Sequence, residues 1–160
     1  MTSKNLPLVS VIVNCHNGQK FLKKCIKSIL SQTYKKIEII FWDNLSTDDS
    51  KKIIKSFKDN RIKYFKSKKF LSLYSARNQA VKKAKGEFIS FLDTDDWWIP
   101  SKIKKQISIC KKDKNVKFVY SNCYLFLLPS LSLFKSILTY LNEFNFPFKI
   151  KNTGYNILTH

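Results

Sequence analysis

Glycine and proline are scarce in this chain: three and four residues among 160. That shortage excludes collagen-like, linker-like and low-complexity classes. Acidic residues are also few, 11 against 30 lysines and arginines, for a formal net charge of +19. Of the basic residues only Arg61 and Arg77 are arginines. Readers of nucleic-acid sequence depend on arginine for bidentate contacts, and here the lysines are scattered rather than gathered in a stripe. The charge therefore permits nucleic acid without any motif to support it. The four cysteines, Cys15, Cys25, Cys110 and Cys123, show no C-x-x-C spacing, and His16 and His160 are the only histidines. A zinc site or disulfide framework is not expected, and reduced thiols in a cytoplasmic protein are. Met1 to Pro7 lacks the apolar run of a signal peptide. The uncharged stretch from Phe118 to Phe134 is interrupted by Ser121, Asn122, Pro129, Ser130 and Ser132. It reads as core or membrane-facing surface rather than as a spanning helix.

What the chain does have is apolar residues, 44% of the total, with 14% aromatic. These suffice for a buried core and one domain over residues 1–160. Leu8–Val13 and Ile37–Trp42 are short β-branched runs that read as buried strands, and Arg61–Phe65, Phe88–Leu92 and Val116–Ser121 supply three more. Between them, Phe21, Leu22, Cys25, Ile26, Ile29 and Leu30 recur at helical spacing. Ser46 and Asp49 fit a capping box before Ile53, Ile54 and Phe57. Leu73–Lys85 reads as a helix stopped by Gly86, and Pro100 falls in the first turn of another. Strand and helix alternate, which predicts an α/β fold with a mostly parallel sheet and helices on both faces. The part after Cys123 has no clear period and is left unplaced.

In an open parallel sheet, ligands bind beyond the carboxyl ends of the strands, where strand order reverses. Three polar clusters fall at such ends: Asn14-Cys15-His16-Asn17, Asp43-Asn44 and Asp93-Thr94-Asp95-Asp96. The last packs three carboxylates into four residues, which is unfavourable unless a cation or donor relieves the repulsion. In extended backbone Asp93 and Asp95 share a side and could hold a hard divalent cation through oxygen. A solvated turn capping the next helix, with Asp96 as the cap, explains the same residues. Trp97 and Trp98 read as packing beneath this loop.

Four stretches, in order and spacing, resemble the family 2 glycosyltransferases of GT-A fold. They are Val9–Asn17, Glu38–Asp48, Ala76–Ala80 and Gly86–Asp96, and the resemblance extends over residues 8–121. It implies that Asn14, His16, Asn17 and Asp43 hold the base and ribose of a nucleotide sugar, a UDP-sugar. Arg77 would lie near the base or diphosphate. Asp93 and Asp95 would form the DxD pair, Asp93 toward ribose and Asp95 on Mn²⁺ or Mg²⁺. The implied activity is inverting transfer to a saccharide or lipid-linked acceptor at the cytoplasmic face of the cell membrane, in polysaccharide assembly. The chain departs from the family in Asn14-Cys15-His16, where Pro-Thr-Tyr is usual, and in Leu45, where Gly, Ala or Ser is common. After Asp96 only Asp113 and Glu143 are acidic, and neither stands in the context of the family's base. A chain lacking its acceptor half, and inactive in transfer for that reason, is expected from that shortfall. The alternative is a basic module without catalysis that sits on anionic membrane or polymer through the charge and the apolar Tyr124–Leu141 segment.

Overall fold

The computed structural model describes residues 6–121, 124–126, 148–151 and 156–159. The chain divides into two compact units, residues 1–114 and 115–160. In the first, β1 (Val9–Cys15), β2 (Ile37–Asp43), β3 (Ile62–Lys66) and β4 (Phe88–Phe91) form an all-parallel sheet in the order β3-β2-β1-β4. The chain therefore winds outward from β1 through β2 to β3, then returns to place β4 on the other side of β1. The reversal makes a crevice between β1 and β4, the position at which such sheets bind ligands.

Every residue of β2 is buried, as is all of β1 except the half-buried Asn14. Alternation sends their side chains to two cores. On one face Val9, Val11, Val13, Ile37, Ile39 and Phe41 pack with helix α1 (Gln19–Leu30), with Ile54 of α2 (Ser50–Ser56) and with Ile103 and Ile107 of α4 (Lys102–Lys112). On the other, Ile12, Ile40 and Trp42 meet Ala76 and Ala80 of α3 (Leu73–Val81). The small alanines let α3 lie close to the sheet. Helices thus cover both faces, as the alternation of elements predicts.

Several local expectations fail for physical reasons. Residues 116–121 form no strand; β-branched and aromatic residues favour a strand only where a neighbour pairs with them. Helix α3 ends at Val81, before Gly86, so Gly86 is not its stop. A Cβ on Gly86 would lie 2.6 Å from Ser10 N and 2.8 Å from Leu8 O, so its glycine is required by close approach to β1. Pro100 precedes α4, whose N-cap is Ser101 rather than Asp96. The capping box before α2 is not made either: Asp49 is the N-cap and its own side chain makes no cap hydrogen bond.

The second unit contains a three-stranded antiparallel sheet of β5 (Tyr124–Phe126), β6 (Phe148–Lys151) and β7 (Asn156–Thr159), in the order β5-β7-β6. Cys123, Glu143 and residues 127–141 of the apolar segment lie outside the described residues. Among the described residues no helix is long and apolar enough to cross a membrane. Cys15, Cys25 and Cys110 are free thiols.

Candidate functional site

The polar clusters after β1 and β2 form one hydrogen-bonded rim. Asp43 ends β2 with no exposed surface. Its Oδ1 accepts from the Ser46 N–H at 2.7 Å and its Oδ2 from the Tyr64 hydroxyl at 2.6 Å. Burial, then this bond to the Asp43 carboxylate, holds the Tyr64 phenol well above its ordinary range. Ser46 is spoken for in turn: its Oγ accepts from the Asn17 N–H at 3.0 Å. Asn17 Oδ1 accepts from the Thr47 N–H at 2.8 Å, and the Gly18 N–H donates to Ser50 Oγ at 3.0 Å. Asp48 Oδ2 accepts from the Gln19 N–H and its Oδ1 from the Ser50 N–H, both at 2.9 Å. Burial acts to raise the Asp48 carboxyl, but the hydrogen bonds from Ser50 and Gln19 outweigh it and hold the group below its usual value.

Two backbone positions in this rim are left-handed, Asn17 at φ 54° and Leu45 at φ 60°. Asparagine tolerates that region, whereas leucine pays roughly 1–2 kcal/mol in Cβ crowding. Leu45 thus carries strain at a position where a glycine would carry none. His16 is exposed, with Nδ1 3.0 Å from Asn44 O. That bond requires a proton on Nδ1 and leaves Nε2 as the ring's other polar atom. Its ring meets Phe70 edge-on at 4.8 Å.

Asn14 points to the α3 face of the sheet, in register with Trp42. Both polar atoms of its amide and the Trp42 indole nitrogen are buried with no hydrogen-bond partner. Such orphaned groups are rare, and water or a ligand usually satisfies them.

Across the crevice, the acidic cluster follows β4. Arg77, from α3, reaches Asp93 Oδ1 at 2.6 Å, so two residues that were singled out separately in the sequence meet here. The guanidinium also lies 5.8 Å from the Phe91 ring centroid. Asp95 is exposed and makes no hydrogen bond or ion pair among the described residues. Burial, then the Asp95 and Asp93 charges, raises the Asp96 carboxyl above its ordinary value. The donor set consists of crowded hard oxygens only partly neutralised by Arg77, which fits Mn²⁺ or Mg²⁺. Among the described residues no three His, Cys, Asp or Glu side chains converge as a cage.

The acidic loop is seated by contacts that the sequence did not reveal. Gly18 lies against it: a Cβ there would stand 2.9 Å from Cys15 Sγ and 3.2 Å from Thr94 Cβ. The Cys25 thiol, driven up by burial above all, faces Asp93 O at 3.6 Å. Just beyond, the Trp98 N–H donates to Ser28 Oγ, and Gln32 bonds Ile99 O and the Ile103 N–H. Trp98 is buried in the core, as expected, while Lys24 Nζ sits 3.1 Å from the Trp97 ring centroid. Ser28, Gln32, Ser46, Asp48 and Tyr64 all shape the site and were not singled out as site residues. A polar residue among the apolar positions of α1 was the available signal for Ser28, whereas Gln32 lies past the end of that helix and carried none.

Comparison with known proteins places this geometry. The chain is 45% identical over 120 residues to the Escherichia coli UDP-Glc:alpha-D-GlcNAc-diphosphoundecaprenol beta-1,3-glucosyltransferase WfaP, covering 75% of this chain and 47% of that protein. The fold is similar to that of S. aureus TarS in complex with UDP, at a TM-score of 0.63 and 22% identity over 95% of this chain and 46% of that one. It is also similar to that of the Pyrobaculum calidifontis mannosyltransferase PcManGT in complex with GDP-Man and Mn²⁺, at a TM-score of 0.58 and 23% identity over 66% of this chain and 32% of that one. The chain spans about half or less of the length of these proteins. The family's sequence pattern, described as "Glycosyl transferase family 2", matches residues 10–157, and with a parallel sheet whose carboxyl rim carries the matching residues, the chain belongs to glycosyl transferase family 2.

Proposed function

We propose that this chain supplies the donor side of a glycosyltransferase that moves a hexosyl group from a UDP-sugar to a lipid-linked saccharide, with Mn²⁺ or Mg²⁺ as cofactor. The observation that carries the reading is the Arg77–Asp93 ion pair at the β1/β4 crevice, beside the unpartnered Asp95. Breaking a sugar–diphosphate bond leaves two phosphates with growing negative charge, and fixed positive charge at that point lowers the barrier. A divalent ion held by Asp95, with Asp93 beside it, supplies that charge when bound. Arg77 supplies a permanent second charge, and its ion pair with Asp93 fixes where it stands.

On the other side of the crevice, His16 offers a ring face and Nε2 to a base. The unpartnered Asn14 amide offers a donor and an acceptor. Asn17 and Asp43 serve by holding the rim, since the Asn17 carbonyl and both Asp43 oxygens are already bonded. The uridine assignment is supported by WfaP, named for UDP-Glc, and by TarS in complex with UDP. The lipid-linked acceptor is supported by the diphosphoundecaprenol in WfaP's name. Such an acceptor sits in a membrane, so the reading places the protein peripherally at the cytoplasmic face. The residues assigned here bind and orient the donor; none is assigned as the acceptor's base.

Competition calorimetry in Mn²⁺ tests the reading. UDP and UDP-sugars are expected to displace one another from a single site, with GDP at least tenfold weaker. Equal affinity for UDP and GDP would contradict the uridine assignment.

A further inference from the structure

Large apolar side chains exposed singly are ordinary, but here three fall within five residues. Phe70, Leu73 and Tyr74 are 62%, 49% and 78% exposed. They occupy the connection from β3 to α3 and the first turn of α3, directly after the exposed Lys66, Lys68 and Lys69. The segment is firmly built. The Ser67 N–H donates to Asp43 O at 2.8 Å, and the Asn44 side chain brackets Leu71, donating to its carbonyl at 2.8 Å and accepting from its N–H at 3.0 Å. Ser72 Oγ accepts from the Ser75 N–H to cap α3. The apolar side chains are thus held outward by a fixed backbone. Through the Phe70–His16 ring contact the patch adjoins the rim of the candidate site.

Ile89 and Phe91 are also exposed, at 43% and 48%, but they lie on β4, the end strand of the described sheet. An open edge invites another strand, which is explanation enough there. Lys66 ends β3, the sheet's other end strand, but Phe70, Leu73 and Tyr74 lie beyond that strand, so no strand edge accounts for their exposure. The 66–74 segment combines lysine with tyrosine, phenylalanine and leucine on one short surface. That combination matches an anionic bilayer: ammonium groups meet anionic headgroups while the apolar side chains enter the boundary with the acyl chains.

We propose that residues 66–74 form a docking surface for an anionic lipid bilayer, which seats the protein with its donor rim beside the membrane plane. This deepens the function proposed above and rests on it, because a lipid-linked acceptor presents its sugar at that plane.

The test is flotation of the 160-residue chain with vesicles of phosphatidylcholine containing roughly 30% phosphatidylglycerol, and of phosphatidylcholine alone, at about 0.15 M salt. Binding to the anionic vesicles alone is expected. The Lys68→Glu/Lys69→Glu and Leu73→Ser/Tyr74→Ser variants should each lose at least about tenfold in partitioning. Their circular dichroism and their UDP affinity in Mn²⁺ should match those of the unaltered chain. A Tyr74→Trp variant should gain fluorescence that acyl-brominated lipids quench, a result that needs no destabilising change. Absence of vesicle binding, undiminished binding in both double variants, or an unquenched Tyr74→Trp signal would overturn the proposal. So would a dimer that Leu73→Ser/Tyr74→Ser dissolves without any vesicle binding, which would assign the patch to a second copy. Failure of UDP binding in the unaltered chain would strike the donor reading, and the flotation result would still decide the docking surface.

Discussion

The two banks of the β1/β4 crevice are built differently. On one, the loops after β1 and β2 are joined by hydrogen bonds from Asn17, Gly18 and Gln19 to Ser46, Ser50 and Asp48, above a fully buried Asp43. On the other, residues 93–96 carry three carboxylates, one ion pair to Arg77 and an exposed Asp95 with no partner among the described residues. Apart from the Asn14 amide and the Trp42 indole nitrogen, the first bank has satisfied its own polar groups, and its loops are shaped before any ligand arrives. The second holds charge that only a ligand or ion can neutralise. A donor whose base is recognised by shape and whose diphosphate is recognised by charge needs both kinds of surface.

Substitutions on the two banks should therefore fail in different ways. Asp43→Ala strikes the preformed bank and should have the largest effect. It removes the acceptor of the Ser46 N–H and of the Tyr64 hydroxyl, both half-buried around the fully buried Asp43, costing about 3 kcal/mol in urea unfolding. Asp95→Asn strikes the poised bank. It should leave the unfolding midpoint unchanged while reducing UDP affinity in Mn²⁺ at least tenfold, or about 1.4 kcal/mol. A variant that lost stability instead would erase the distinction between the banks. Leu45→Gly sharpens it. Relief of roughly 1–2 kcal/mol of left-handed strain, less roughly 0.5–1 kcal/mol of added unfolded-chain entropy, predicts a stabilisation of about 0.5 kcal/mol.

Acid should give the smallest effect, because the groups concerned are partly exposed and screened. Hydrogen bonds hold Asp48 below the usual carboxylate value against its burial, and the bond from Arg61 does the same for Asp59. With lower folded than unfolded pKa values, their contribution is present above the unfolded value and lost as pH falls through the folded one. The urea midpoint should drop slightly between about pH 5 and pH 3, and less so in Asp48→Asn.

Much of this architecture was legible in the sequence, and the reason is burial. Val9–Val13 and Ile37–Trp42 are apolar runs that could only be interior strands, and the polar residues that follow them had to lie at the sheet's rim. Partnership was not legible. The Ser46 hydroxyl had a local use as a helix cap, but it serves the Asn17 N–H, 29 residues away in sequence. Residues 116–121 had strand composition, but composition does not supply a neighbouring strand. Gly86 looked like a helix stop, and only the packed sheet shows that Ser10 excludes a side chain there. Arg77 and Asp93 were each visible as candidates, but their ion pair exists only once α3 is folded against the sheet.

The central claim is that the crevice binds a nucleoside diphosphate through a preformed bank and a cation-dependent one. Calorimetric titration of UDP into the chain at physiological salt, with and without Mn²⁺, tests it most directly. Saturable one-site binding that strengthens at least tenfold with Mn²⁺ is the predicted result. A folded chain that binds no UDP in either condition, or binds it equally in both, would contradict the account.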